Sequence, residues 1–273
     1  MLTMDLLGAL TIRVDNQRIR TEFGSAGRRL TGYLAHYSGR PHRRERLVDL
    51  FWAGLEPNRA RSALNTALWR LRKVIATEPR SKGGRNLVTL GNEVVLEPAD
   101  WFEIDTHRFD ASVKSILRDM VGHADEQPAV LLADALEKYS GPFLEGEDED
   151  WILVERERLH SLYVRAAHEL ARLYARAKRY DEAVEIVRGV LAYDPFRETS
   201  HRDLMTLLVL NGQRAEALRS HERWCGMMRR ELGISPMPRT VELMASIRSD
   251  RVFQRLDEFR DAYDTKQAAE RRS

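Results

Sequence analysis

Apolar residues recur at helical spacing in residues 58–75, NRARSALNTALWRLRKVI. They follow one another at steps of three and four, which places them on one side of an α-helix: Ala60, Leu64, Leu68, Leu71 and Ile75. No helix breaker stands between Pro57 and Pro79, and Asn58 is a suitable N-cap because its side chain can accept a free amide. The pattern predicts one long helix.

The polar face of this helix is free of acidic residues. Opposite the apolar stripe lie Ser62, Thr66, Trp69 and Lys73, flanked by Arg59, Asn65 and Arg70. No Asp or Glu occurs between Glu56 and Glu78. Most solvated helices mix both signs of charge and gain i,i+4 pairs, so this face is suited to a negatively charged partner.

Shorter patterns precede the long helix. Residues 6–14, LLGALTIRV, alternate like a strand, and the turn-like DNQ before RIR predicts a short β-hairpin. From about Ser25 a helical stripe of Leu30, Tyr33, Leu34 and Tyr37 runs to the Gly39–Pro41 stop signal. Residues 43–52 predict a second short helix whose inward residues are Leu47, Leu50 and Phe51.

The stretch LVTLGNEVVLEP, residues 87–98, predicts two short strands around a Gly-Asn turn. The order is thus strands, three helices and a β-hairpin, which is the order of a winged helix-turn-helix with the hairpin as the wing. In such folds the third helix enters the major groove of DNA while neighbouring elements hold the backbone.

This arrangement assigns two sets of DNA contacts. The side chains opposite the apolar stripe are expected to face base edges: Ser62, Asn65, Thr66, Trp69 and Lys73. The surrounding arginines are expected to contact phosphates: Arg43, Arg44, Arg59, Arg61, Arg70 and Arg85. Two alternatives stay open, since Trp69 could pack under the wing and Arg61 could pair with Glu56 or Asp49.

The second half of the chain is rich in helix formers. Asp105 can cap a helix through Phe109, Val113, Ile116, Leu117 and Met120. Residues 128–139 predict a further helix, and a long one begins near Trp151.

An internal repeat follows. KRYDEAV, residues 178–184, aligns with GQRAEAL, residues 212–218, and the same offset pairs Leu170 with Leu204. The offset matches the tetratricopeptide period, in which small alanines let paired helices approach. A generic helical bundle is the alternative.

Charge is unevenly distributed along the 273 residues, although the net charge is only +2. Residues 1–99 hold 17 Lys and Arg against 9 Asp and Glu, whereas residues 100–273 hold 27 against 33. Only the front part is therefore suited to a polyanion. No apolar run is long enough for a membrane span, the N-terminus does not resemble a secretory signal, and a single cysteine fits a reducing cytosol, so a cytoplasmic, nucleoid-associated protein is expected.

Motifs for chemistry are lacking in the sequence. Neither HExxH nor a glycine-rich nucleotide loop occurs, and His36 and His42 stand beside arginines, which favours backbone or phosphate contacts over a metal. Cys225 has His221 one turn before it, but a lone cysteine on a packed helix is typically inert. We expect no catalytic site, no metal and no cofactor, and hence no enzyme.

Four segments resemble one bacterial family. RRERLVDLFW followed by ARSALNTALWRLRKVI is similar to the OmpR-type winged helix of the Streptomyces antibiotic regulatory proteins. EIDTHRFD, YSGPFLEGEDEDWILVERERL and ELGISPMPRTVELMASI resemble, in the same order, motifs of the activator domain of that family. The resemblance covers roughly residues 5–249. It departs at Trp69, where the family more often has a small residue, and the sequence lacks the P-loop ATPase of some relatives.

The resemblance implies a mainly α protein with a small β part. Residues 1–98 would form an OmpR-type winged helix, and residues 104–249 would form a tetratricopeptide-like bacterial transcriptional activator domain. Residues 250–273 lie beyond the resemblance and are expected to form a helical extension. The resemblance implies a sequence-specific transcription regulator, an activator that binds direct repeats in double-stranded DNA and recruits bacterial RNA polymerase, with a homodimer on DNA as one arrangement. The alternatives are a protein-interaction adaptor and a ligand-gated sensor.

The final segment, residues 250–273, carries an apolar stripe on an otherwise charged helix: Val252, Leu256, Phe259 and Tyr263. Such a helix is marginal alone. We expect it to cap the helical repeats of its own chain, with a dimer contact as the alternative.

Overall fold

The computed structural model describes residues 1–119 and 127–249, which are mainly α-helical with two small sheets. The helices in these ranges are α1 (Gly24–His36), α2 (Arg44–Trp52), α3 (Pro57–Ile75), α4 (Asp105–Asp119), α5 (Gln127–Glu137), α6 (Asp150–Arg176), α7 (Tyr180–Tyr193), α8 (Glu198–Leu210), α9 (Arg214–Glu231) and α10 (Pro238–Arg248). The strands are β1 (Leu2–Asp5), β2 (Thr11–Val14), β3 (Gln17–Arg18), β4 (His42–Arg43), β5 (Leu87–Leu90), β6 (Glu93–Leu96) and β7 (Phe102–Ile104). The predicted fold class, a winged helix-turn-helix followed by tetratricopeptide-like helices, is confirmed.

The described chain divides into two compact units. The first comprises residues 1–119 and 134–162, and the second comprises residues 127–133 and 163–249. The front unit therefore contains, besides the winged helix, α4 and the beginning of α6.

The first unit contains a four-stranded sheet in the order β3-β2-β1-β7. β1 and β2 are antiparallel, and β2 turns into β3 through Asp15 and Asn16, whose φ angles are +48° and +65°. Two successive left-handed residues suit a tight hairpin, and Asp and Asn tolerate this conformation well. The predicted DNQ turn is confirmed.

Of the predicted strand over residues 6–14, only the end is a strand, namely β2 from Thr11 to Val14. The chain leaves β1 after Asp5, and Gly8 has a φ of +107°, which interrupts the extended backbone. The Leu6 and Leu7 amides donate instead to the Asp105 carboxylate at 2.8 Å. Alternating hydrophobicity alone does not reveal such a break, because Leu6 and Leu7 are both buried and both bond to residues from much later in the chain.

The helix-turn-helix and the wing follow the sequence pattern closely. α1 buries Leu30 and Leu34, and α2 buries Leu47 and Phe51. The prediction that Leu50 faces inward is wrong, because its side chain is 37% exposed. The wing is confirmed as the antiparallel pair β5–β6, to which the short β4 adds a third strand.

His36 lies at the buried end of α1 within the first unit. Its Nδ1 lies 3.2 Å from the Thr106 hydroxyl and its Nε2 lies 3.1 Å from a Glu155 carboxylate oxygen. Burial lowers the pKa of His36 from 6.5 to about 4, although Glu155 opposes this shift. The expected backbone or phosphate contact is therefore wrong for His36, whose ring bonds to side chains of its own unit. His42 is also buried, and its ring bonds to the backbone of Tyr37, so the expected backbone contact is confirmed there.

The second unit contains the predicted repeat. α7 begins at Tyr180 and α9 begins at Arg214, the same offset as between the matched sequence segments. The alanines at the matched positions, Ala183 and Ala217, are fully inaccessible to solvent and share one apolar cluster with α8 and α10. The predicted helices before the repeat are also present, as α4, α5 and α6. Met120 and the tail of residues 250–273 lie outside the described residues, so what is expected of them stays a prediction.

Candidate nucleic-acid interface

α3 begins at Pro57, one residue before Asn58, the predicted N-cap. Glu56 is the N-cap, and its carboxylate accepts from the backbone amides of Asn58 and Arg59 at 3.1 and 3.3 Å. Pro57 occupies the first helical position, where its missing amide is not needed. The assignment of Asn58 as N-cap is therefore wrong, because a proline at this position places the cap before it.

The apolar stripe of α3 is buried as predicted: Ala60, Leu64, Leu68, Leu71 and Ile75. The five residues expected to read bases all lie on the exposed side: Ser62, Asn65, Thr66, Trp69 and Lys73. Trp69 is 53% exposed, so the alternative in which it packs under the wing is wrong. α3 thus presents hydroxyl, amide, indole and ammonium groups together on one surface.

Trp69 and Lys73 interact one helical turn apart. The Lys73 ammonium lies 4.0 Å from the centroid of the Trp69 ring, within the range of a cation–π contact. The contact holds a positive charge against one face of a large exposed ring. The two side chains are therefore in contact in the absence of a partner.

Asn65 is held by a residue of α2. The Arg44 guanidinium donates a hydrogen bond to the side-chain oxygen of Asn65. Arg44 is in turn fixed by the wing turn, because its backbone amide donates to the Asn92 carbonyl at 2.9 Å. The Asn92 side chain also donates to the Glu45 carboxylate.

This linkage between α2, α3 and the wing was not predicted. Asn92 lies 47 residues from Glu45, and Arg44 lies 21 residues from Asn65, so no local pattern connects them. The pKa of Glu45 lies below its usual value because its own backbone amide and Asn92 donate to the carboxylate. A charged Glu45 in the first turn of α2 suits the positive end of the helix dipole.

The six arginines expected to contact phosphates differ in their exposure and in whether they already bond to protein groups. Four are exposed: Arg43, Arg59, Arg61 and Arg85. Arg44 and Arg70 are half-buried and already bond to protein groups, since Arg70 donates to the Glu22 carbonyl at 2.6 Å. Arg61 forms no ion pair with Glu56 or Asp49 in the structure described, so that alternative is not supported.

Arg72 takes a different part. Its guanidinium donates to the Leu87 carbonyl at 2.9 Å and so joins the end of α3 to the first strand of the wing. Gly84 makes room for this contact, because a Cβ on it would lie 2.6 Å from the Arg72 carbonyl oxygen. The distance between α3 and the wing is therefore set by tight packing.

Other candidate chemistry is weak. The Cys225 sulfur lies 3.3 Å from Nε2 of His221, but burial raises the pKa of the thiol, which opposes nucleophilic activation. Across residues 1–119 and 127–249, no group of three or more His, Cys, Asp or Glu side chains is placed to hold a metal ion. In the same ranges no helix combines the length and apolar character needed to cross a bilayer.

Comparison with known proteins agrees with this architecture. Regulatory protein AfsR of Streptomyces griseus is 25% identical over 209 residues, which cover 74% of this chain and 20% of AfsR. Transcriptional regulatory protein MoaR1 of Mycobacterium tuberculosis is 26% identical over 207 residues, which cover 70% of this chain and 62% of MoaR1. The chain thus spans less than two thirds of either relative.

A solved structure shares the fold. Mycobacterium tuberculosis EmbR, determined in complex with a low-affinity phosphopeptide, superposes with a TM-score of 0.75 at 22% identity, covering 98% of this chain and 69% of EmbR. Residues 104–248 match the family model of the bacterial transcriptional activator domain. The chain therefore belongs to the bacterial transcriptional activator domain family, among the transcriptional regulators of the Streptomyces antibiotic regulatory protein type.

Proposed function

We propose that this protein is a sequence-specific DNA-binding regulator that activates transcription by binding direct repeats at promoters and recruiting bacterial RNA polymerase. The observation that carries the proposal is the exposed face of α3. This face has polar and cationic groups and no acid from Pro57 to Thr77. Carboxylates there would repel DNA, whereas the groups present can donate to base edges and phosphates.

In the proposed complex α3 lies in the major groove. Base edges are contacted by the exposed set Ser62, Asn65, Thr66, Trp69 and Lys73. Phosphates are contacted by Arg43, Arg44, Arg59, Arg61, Arg70 and Arg85. For Arg44 and Arg70 only the N–H groups not used within the protein remain for phosphate.

The charge distribution supports separate roles for the two parts of the chain. Residues 1–98 would bind DNA and residues 104–249 would contact the transcription machinery, since the excess of positive charge is confined to the front of the chain. Helical repeats typically bind partners rather than carry out chemistry. Two copies on adjacent repeats would form a homodimer on DNA, and the site of action would be the nucleoid in the cytoplasm.

Mapping the genomic fragments bound by the full chain tests the proposal. We expect a small number of promoter regions that share a direct repeat, and increased transcription from them when the protein and RNA polymerase are added together in vitro. Fragments without a common motif would favour a protein-interaction adaptor instead. A shared motif combined with unchanged or reduced transcription would support sequence-specific DNA binding but contradict the proposed activation.

A further inference from the structure

The hydrogen bond between Arg44 and Asn65 determines which way the Asn65 amide points. A guanidinium carries only donors, so the atom that faces it must be the amide oxygen. The NH2 group of Asn65 then points away from Arg44, and it has no hydrogen-bond partner in the part of the chain that the structure describes. Asn65 is exposed on the polar face of α3.

The position of Arg44 does not depend on Asn65 alone. Its amide is tied to the Asn92 carbonyl at the wing turn, and Arg43 before it pairs with Glu93 across β4 and β6. The wing therefore places the start of α2, and the start of α2 places the guanidinium beside Asn65. Three elements fix the orientation of one exposed amide.

Because its oxygen is already bonded to Arg44, the Asn65 amide presents only its NH2 donors to a base. Asparagine reads adenine through both groups, with its oxygen accepting from the adenine N6 amino group and its nitrogen donating to N7. At Asn65 the Arg44 guanidinium lies beside the amide oxygen. An adenine amino group that approached this oxygen would therefore meet a positive charge, which disfavours adenine. Guanine has two adjacent acceptors, O6 and N7, which suit an NH2 group alone.

We propose that Arg44 is a positioning residue for specificity, which makes Asn65 select guanine over adenine at the base pair that it contacts. The proposal rests on the function proposed above, since it requires α3 to lie in the major groove. It adds the chemical identity of the base and a role for Arg44 distinct from phosphate binding. Arg44 acts through Asn65, and Asn65 touches the DNA.

The test begins with the full-length protein and a pool of randomised duplexes, from which the preferred site is selected. Affinities for all single-base changes of that site are then measured for the wild type, Asn65→Ala, Arg44→Leu and Arg43→Leu. Arg43 is the matched control, since its exposed guanidinium lies next to Arg44 in the chain and does not bond to Asn65. Circular dichroism melting of each variant checks that it is folded.

We expect one position at which the wild type favours guanine over adenine by on the order of tenfold. Asn65→Ala should flatten the preference at that position only. Arg44→Leu frees the amide oxygen and should shift the preference there toward adenine by a similar factor. Arg43→Leu should leave the ranking of bases unchanged.

Four outcomes would overturn the inference while leaving sequence-specific binding intact. The first is a wild type that favours adenine at the position that depends on Asn65. The second is an Arg44→Leu protein that loses affinity equally on all sequences, which would make Arg44 a phosphate ligand only. The third is a guanine preference that survives Asn65→Ala and disappears in Arg44→Leu, which would make Arg44 the reader.

The fourth is an Asn65→Ala protein that loses affinity equally on every sequence, which would show that Asn65 reads no base. A wild type without base preference anywhere would instead refute the proposed function itself, and this inference with it.

Discussion

The ring of Trp151 meets the ring of Tyr33 edge to face, with centroids 5.0 Å apart and an interplanar angle of 87°. Tyr33 belongs to α1 of the winged helix, and Trp151 lies in the first turn of α6. Phe51 and Phe143 also contact the indole. The front unit therefore contains an aromatic cluster in which residues of the winged helix pack against residues that the family model assigns to the activator domain.

Replacing Trp151 by alanine should destabilise the front unit. The change removes ring contacts with Tyr33, Phe51 and Phe143, and because the indole is only half-buried we expect a loss of about 2 kcal/mol, below the range for fully buried Trp. Chemical denaturation measures the free energy of unfolding. Trp69→Ala is the control, since Trp69 is exposed and its removal should cost about 0.5 kcal/mol or less. Equal losses for both variants would contradict the role of Trp151.

The stability of the front unit should depend on pH through His36. Its folded pKa of about 4 lies below the ordinary value of 6.5, so the unfolded chain takes up a proton first as the pH falls. The contribution of neutral His36 is complete above pH 6.5 and should decrease by about 2 kcal/mol between pH 6.5 and 5. His36→Gln does not titrate, so its unfolding free energy should decline less over this interval. Parallel pH profiles for the two proteins would show that His36 is not the source.

Gly84 should be required for the junction of α3 and the wing. Gly83 and Gly84 have φ angles of +81° and +78°, but only at Gly84 would a Cβ meet other atoms within 4 Å, the closest being the Arg72 carbonyl oxygen. Gly83→Ala should cost about 1 kcal/mol from backbone strain, and Gly84→Ala about 2–4 kcal/mol because a backbone clash is added. Thermal unfolding of both variants compares them directly. A melting temperature for Gly84→Ala no lower than that for Gly83→Ala would contradict the close packing.

Arg59 should contribute to the salt dependence of DNA binding. Its side chain is exposed at the start of α3, so Arg59→Ala should lower the slope of log affinity against log salt concentration by about 1. Arg188 of α7 is the control, because it lies in the second unit and pairs with Glu185. Its replacement by alanine should leave the slope unchanged. An unchanged slope for Arg59→Ala would remove this residue from the phosphate contacts.

Elements defined by local periodicity could be predicted from the sequence alone. The apolar stripe of α3, the Gly-Asn turn of the wing and the repeated segment at the starts of α7 and α9 each depend on residues close in the chain or on a fixed repeat. Helix and hairpin patterns of this kind are legible because side-chain direction repeats with a fixed period. The same periodicity located the exposed face of α3.

Contacts between distant segments were not predictable from these patterns. β7 pairs in parallel with β1, joining Leu2 to Phe102, and it is too short to show alternation. Trp151 packs against Tyr33 although the two lie far apart in the chain. The bond from Arg44 to Asn65 likewise depends on the contact between the start of α2 and the wing turn. The candidate site was thus predicted as a face of a helix, but not as a set of side chains already oriented by their neighbours.

Whether α3 reads DNA sequence is tested most directly by the ratio of affinities for a selected promoter fragment and a scrambled duplex of the same length, measured at physiological salt. We expect a ratio of at least about 10³ for the wild type. Replacing Ser62, Asn65 and Thr66 together by alanine should reduce this ratio while affinity for the scrambled duplex is retained. Equal affinity of the wild type for both duplexes would contradict the claim that α3 reads DNA sequence.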